Sequence, residues 1–309
     1  MEAGVRYAPR TATVTPTLVR PRTGVRTLVA DYFEMTKPKV QTLLLLTTIV
    51  SMYVAGDPSL GLVAVTCLGG ALSAGGAGAV NHYFDRDIDR LMTRTADRPV
   101  ASGRVSPGAA VAYGATLCAA SFVLLTVAVN VLAALLALSG FLGYVFVYTI
   151  WLKRSTPQNI VIGGAAGAVP PLVGWAAVTG GVSVDALLLF AIVFFWTPPH
   201  FWALSLLMKD EYARAGVPML PVVRGEAVTR RHILTYTLIL IAVTVAPVAT
   251  GLFGAFYAVA AVLLGAAFVA MAVKLLGAVE RRPALRTYLF SLAYLALLFA
   301  SMVVDARVL

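Results

Sequence analysis

Asn81, Asp85 and Asp89 stand four residues apart in the run Asn81-His82-Tyr83-Phe84-Asp85-Arg86-Asp87-Ile88-Asp89-Arg90. At about 100° per residue, steps of four keep three side chains on one helix face, each roughly 6 Å beyond the last. The outcome is a row of ligand oxygens at the end of a strongly apolar segment. Ionised carboxylates beside lipid are costly, which favours function over packing as their explanation. The stretch continues through Arg94, Asp97 and Arg98. Carboxylates interleaved with arginines suit a magnesium-bridged diphosphate. Magnesium takes one or two carboxylates together with phosphate oxygens, and guanidinium groups take the remaining phosphate charge. A solvated helix end accounts for Asp87, about 200° around the helix from Asp85. It does not account for the aligned Asn81.

A second acidic pair, Asp210-Glu211, lies between Lys209 and Arg214 directly after another apolar segment. Alone, such a pair at a membrane boundary is usually solvated; beside the first cluster it predicts a second metal at the other end of one diphosphate. Lys153 and Arg154 close a further segment after Tyr148 and Trp151. Two roles compete for them, anchoring at lipid headgroups and contact with phosphate. His200 sits in Thr197-Pro198-Pro199-His200-Phe201-Trp202, where paired prolines free backbone carbonyls and bend a helix. An imidazole there ligates a haem iron, donates to a substrate, or simply bonds to a neighbouring helix. His82 and His232 are weaker candidates. Cys67 and Cys118 fall inside apolar segments without ligand partners and read as buried thiols.

The elements that must position these groups are membrane spans. Hydrophobic residues make up 60% of the 309, charged residues 12%, and mean hydropathy is +0.86, the signature of an all-α polytopic membrane protein. Nine transmembrane helices are predicted near 39–56, 60–85, 107–127, 131–151, 158–179, 184–207, 232–252, 254–276 and 285–304, each with roughly the 20 residues a hydrocarbon core needs. Glycines at 69, 70, 75, 76 and 78 point to close helix packing. The net charge of +10 is spread over alternate loops rather than gathered in one domain, which excludes a nucleic-acid partner and indicates topology. By the positive-inside rule the N-terminus and both acidic clusters are cytoplasmic, and nine spans place the C-terminus outside. Residues 1–36, rich in Arg, Thr and Pro without an apolar core, read as a disordered basic cytoplasmic arm rather than a secretory signal, with an organellar transit peptide the weaker alternative because the arm is poor in acid. Residues 37–309 form the membrane domain.

The motif Asn81-x-x-x-Asp85-x-x-x-Asp89 resembles the UbiA superfamily of intramembrane prenyltransferases. Four further runs, Thr93 to Gly103, Leu152 to Asn159, Thr197 to Leu204 and Tyr212 to Pro221, resemble its protohaem IX-farnesylating branch, and the likeness covers roughly residues 30 to 305. The resemblance implies nine helices around a central cavity in a cell membrane, a cytoplasmic active site, farnesyl diphosphate and haem B as substrates, Mg2+ as cofactor, and haem O passed to terminal oxidases. By the same likeness Asn81, Asp85 and Asp89 are catalytic, with Asp85 and Asp89 holding one magnesium and Asp210 and Glu211 another. The chemistry of the residues themselves makes Arg94, Arg98, Lys153 and Arg154 candidates for phosphate oxygens, His200 the candidate for orienting haem and Arg214 one for a propionate. The wider superfamily places two aspartates four apart in its second motif; Met208 and Tyr212 occupy those positions here, and Asp210 and Glu211 supply the carboxylates. Competing readings are a related prenyltransferase for a quinone precursor or chlorophyll-like acceptor, a transporter, which would hold its ionisable groups near the bilayer midplane, and an inactive haem-binding assembly factor.

Overall fold

Apolar runs without a water partner for their backbone must satisfy it internally, and helices are the local solution. The computed structural model describes residues 25–278 and 280–307; among these no strand occurs and nine helices are long and apolar enough to cross a membrane. In chain order the elements are α1 (Val25–Met35), α2 (Pro38–Ala55), α3 (Leu60–Phe84), α4 (Arg86–Leu91) and α5 (Pro107–Ala128). One continuous span follows, built from α6 (Val131–Leu142), a π-helical segment (Gly143–Leu152) and α7 (Lys153–Ser155). Then come α8 (Asn159–Thr179), α9 (Val184–Leu207), the short α10 (Lys209–Arg214) and α11 (Leu220–Val223), α12 (Gly225–Ala249), α13 (Ala255–Leu276) and α14 (Arg281–Arg307). Ser59, Ser106, Asn130 and Ser183 start α3, α5, α6 and α9, each accepting a backbone N–H three residues on.

Two expectations need correction. The arm predicted over residues 1–36 is helical from Val25, while residues 1–24 lie outside the described residues. Eleven residues are too few to hold a helix alone, and packing supplies the rest. Met35 is fully buried among Ala79, Val100, Val105 and Ala110; Tyr32 meets Tyr113 edge-on at 4.9 Å; Asp31 pairs with Arg104 at 2.9 Å. The seventh span begins at Gly225 rather than near 232, because Glu226 in its first turn accepts from Arg230 at 2.8 Å and from Lys209 at 3.2 Å.

Packing among the spans depends on small residues. The closest neighbours are α3 and α5, where Gly76 and Gly114 face one another. A Cβ on Gly76 would stand 2.6 Å from the Gly114 carbonyl oxygen, so only glycine lets these backbones meet. The largest apolar core joins α2, α8, α9, α12, α13 and α14 around Trp175, Trp196, Tyr257, Phe268, Tyr294 and Phe299. Its buried hydroxyls are satisfied in place: Ser51 donates to the Pro171 carbonyl at 2.6 Å, and Tyr257 to the Thr244 carbonyl at 2.7 Å. Outward residues such as Val127, Val259 and Leu263 are exposed and apolar, as lipid contact requires.

Candidate active site

The aligned ladder is present, with a joint in it. α3 ends at Phe84 and α4 begins at Arg86, yet the Asp85 N–H still bonds to the Asn81 carbonyl and the Asp89 N–H to that of Asp85, at 2.9 and 2.7 Å. The four-residue register therefore survives the break. Asn81, Asp85 and Asp89 are each at most 2% exposed. Asn81 Nδ2 donates to Asp85 Oδ2 at 2.8 Å and to Thr149 Oγ1 at 3.0 Å.

Cations close over this row. Lys153 Nζ lies 2.5 Å from Asp85 Oδ2, and Arg98 Nη1 reaches both oxygens of Asp89 at 2.9 Å. A third cation, Lys37, was not singled out as a site residue from sequence. Its Nζ donates to Asn81 Oδ1 at 2.5 Å and to the Tyr144 hydroxyl at 3.0 Å. Lys37 joins α1 to α2 with φ 55°, the left-handed region, and is the one such non-glycine among the described residues. That conformation costs about 1–2 kcal/mol, and the two bonds to Nζ help hold it. Burial, reinforced by Arg98, pulls its ammonium down to about 7 against the attraction of Asp85. The only sequence signal for Lys37 is a lysine just before a span on the side of the ladder.

Tyr144, Thr149 and Lys153 share a face because the chain between them is π-helical. Thr149 Oγ1 donates to the Tyr144 carbonyl at 2.8 Å, and the Lys153 N–H bonds back five residues to Tyr148. Single π turns recur at functional sites; here the wider turn spans ten residues. α8 supports the segment from behind: Gly163 lies flat against Tyr148, whose Cβ and Cγ would stand 3.0 Å from any added Cβ.

Other sequence-predicted residues are placed differently. Arg154 turns from the ladder to Asp87 at 2.6 Å and to the Phe84 carbonyl, so it does not join the cluster. Hydrogen bonds from Arg154 hold the Asp87 carboxyl at about 2. Arg94 is exposed and forms no ion pair among the described residues; with Arg98 it partly offsets the burial that raises the Tyr212 hydroxyl. Asp210 departs from expectation: its side chain is 81% exposed, 3.7 Å from Arg281, in a groove lined by Lys209, Glu226, Arg230 and Glu280. Arg281, from the far end of the chain, attracts it there. Glu211 is half-buried and Arg214 exposed. His200 is buried between the rings of Trp196 and Tyr288, at 4.3 and 4.8 Å, with Nδ1 2.7 Å from Ser291 Oγ. Ser291 gives its own proton to the Tyr288 carbonyl at 2.6 Å, so Nδ1 carries the imidazole proton and Nε2 keeps its lone pair.

The donor set suits a hard cation. Asp85 Oδ1 and Glu211 Oε2 are buried without a hydrogen-bond partner, an arrangement that costs free energy unless something binds there. No group of three or more His, Cys, Asp or Glu converges among the described residues. A cation held by Asp85 and Asp89 would need further ligands from water or a bound anion, the mixed set that magnesium accepts. Two carboxylates face three basic side chains, which leaves the pocket short of negative charge.

Residues 44–298 match the UbiA prenyltransferase family. The chain is 53% identical over 293 residues to the protoheme IX farnesyltransferase of Chloroflexus aurantiacus, covering 94% of this chain and 50% of that protein. With the namesake of Roseiflexus sp. the identity is 54% over 284 residues, or 91% and 53% of the two chains. The chain thus spans about half the length of the first curated relatives it matches. The Marinobacter nauticus protoheme IX farnesyltransferase is 51% identical over 277 residues, 89% of this chain and 92% of its own. Among solved structures, a digeranylgeranylglyceryl phosphate synthase superposes with TM-score 0.75 at 18% identity, covering 91% and 99% of the chains. A UbiA homologue from Archaeoglobus fulgidus, bound to DMAPP and Mg2+, gives 0.66 at 17%, covering 88% and 99%. Shared fold, matched residues and the buried ladder agree: the chain belongs to the UbiA prenyltransferase family.

Proposed function

We propose that the chain transfers the farnesyl group of farnesyl diphosphate to a vinyl group of haem B, giving haem O and diphosphate. One observation carries the transfer chemistry: a buried Asn81–Asp85–Asp89 row clasped by Lys37, Lys153 and Arg98. The acceptor comes from the protoheme IX farnesyltransferase relatives. Asp85 and Asp89, with Asn81 beside them, would hold Mg2+, and that ion supplies positive charge to the departing diphosphate. Glu211, with its free buried oxygen, is the better candidate of the second pair.

Arg98 and Lys153 lie where phosphate oxygens would draw them from Asp89 and Asp85, and Arg94 stands free for the outer phosphate. Positive charge fixed at that point stabilises negative charge as the allylic carbon–oxygen bond breaks. The apolar bundle takes the isoprenoid chain and keeps water from the allylic cation. The vinyl terminal carbon bonds to the farnesyl carbon, water adds to the cation left beside the ring, and one proton is released. His200, with Nε2 free for a metal or donor, is the candidate for orienting haem, and Arg214 for a propionate. Basic alternate loops support a cell-membrane protein with this site facing the cytoplasm.

The test is purified protein with haem B, farnesyl diphosphate and Mg2+, with products resolved by mass. Haem gains one farnesyl and one hydroxyl group if the reading holds. Prenylation of a quinone precursor with haem untouched overturns the acceptor; no prenyl transfer to any acceptor overturns the chemistry.

A further inference from the structure

α1 meets three environments. At about 100° per residue, Val25, Val29 and Phe33 fall within about 80° of one another, and they are 82%, 64% and 62% exposed. Asp31 and Met35 point elsewhere and are buried against the α4–α5 connection, α3 and α5. Ala30 and Glu34 form a third, exposed face. A helix on the protein's flank with one protein-packed face, one polar face and one bare apolar stripe fits neither full burial nor full solvation.

Its position identifies what covers the stripe. The α1 packing partners Ala79, Ala110 and Tyr113 belong to the last turns of α3 and the first turns of α5, at the membrane boundary on the side of the ladder. Val40, in the first turn of α2, is likewise exposed. Arg20, Arg22 and Lys39 flank α1 in sequence, the basic bordering that draws an apolar helix face to anionic headgroups.

We infer that α1 is an interfacial helix, with Val25, Val29 and Phe33 seated among the headgroups and upper acyl chains of the leaflet on the ladder side, and that this seat positions Lys37. Two residues separate Met35 from Pro38, so displacement of α1 moves the Lys37 turn and with it the bonds to Asn81 and Tyr144. A bilayer rich in anionic lipid holds the lysine in place. The second part rests on the diphosphate reading above; the first does not.

The 309-residue chain with Cys67 and Cys118 replaced by alanine, and a single cysteine at 29, 30 or 33, is labelled with an environment-sensitive fluorophore. It is placed in nanodiscs of phosphatidylcholine with phosphatidylglycerol. Labels at 29 and 33 should be quenched by lipids carrying a nitroxide near the headgroup and protected from a soluble quencher, with the reverse at 30. Equal aqueous quenching at all three overturns the seat, and so does protection from both quenchers at 29 and 33, which means another segment or a second copy covers the stripe. For the coupling, Val29→Glu with Phe33→Glu should raise the half-saturating prenyl diphosphate concentration several-fold with kcat little changed. An unchanged value, in this variant carrying a further single labelled cysteine at position 25 whose label has left the lipid, overturns it. If no prenyl transfer is seen even in the parent protein, the quenching result still stands by itself.

Discussion

At the residue scale, the carboxylate of Asp85 faces two demands, since one oxygen answers Asn81 and Lys153 while the other is buried and unanswered. Asp85→Asn preserves shape and removes charge. It should lower kcat for Mg2+-dependent prenyl transfer by on the order of 10²-fold or more, with the amount of protein in membranes unchanged; mass-resolved products beside an immunoblot measure both. Lys37→Met removes a charged donor worth about 1.5–3 kcal/mol, so KM for the prenyl diphosphate should rise about tenfold or more, with a smaller effect on kcat. The ladder was legible because type and four-residue spacing are local. Lys37 was not, because a left-handed turn brings it to Asn81 across a sequence separation of 44. Arg154 and Asp210 were misplaced for a related reason: which opposite charge a surface group meets is settled by neighbours such as Asp87 and Arg281, which sequence proximity does not identify.

At the element scale, the π-helical segment depends on α8 behind it. Gly163→Val would drive a side chain into Tyr148 and push the segment off α8, an overpacking cost of about 1–3 kcal/mol. The expected result is a lower melting temperature in detergent together with reduced turnover, because Thr149 and Lys153 move with Tyr148. Thermal unfolding and product formation on one preparation check it; full stability with lost turnover would point to a local effect at Tyr148 instead. Spans were legible to within a few residues in most cases, since twenty apolar residues announce themselves. The π geometry left no trace in hydropathy, and α1 escaped notice because its stability comes from α3, α5 and Arg104 rather than from its own eleven residues.

At the scale of the whole molecule, we propose from the nine spans among the described residues and the basic alternate loops that the bundle begins and ends on opposite sides of the membrane. Alkaline phosphatase fused after Leu309 should be active and the same enzyme fused at Met1 inactive in a bacterial host, with the opposite pattern for a fluorescent protein that folds only in the cytoplasm. By itself the sequence determined the membrane class, the number of spans, the alternation of charged loops and the Asn81–Asp85–Asp89 row, because each is written in short-range composition or spacing and the bilayer enforces it. The tertiary structure alone decided which cations close over that row, which acidic residue of the second pair keeps a buried free oxygen, and where His200 packs. Those choices depend on helices distant in sequence meeting at glycine contacts and on buried charges finding partners, and such pairings exist only once the bundle has assembled.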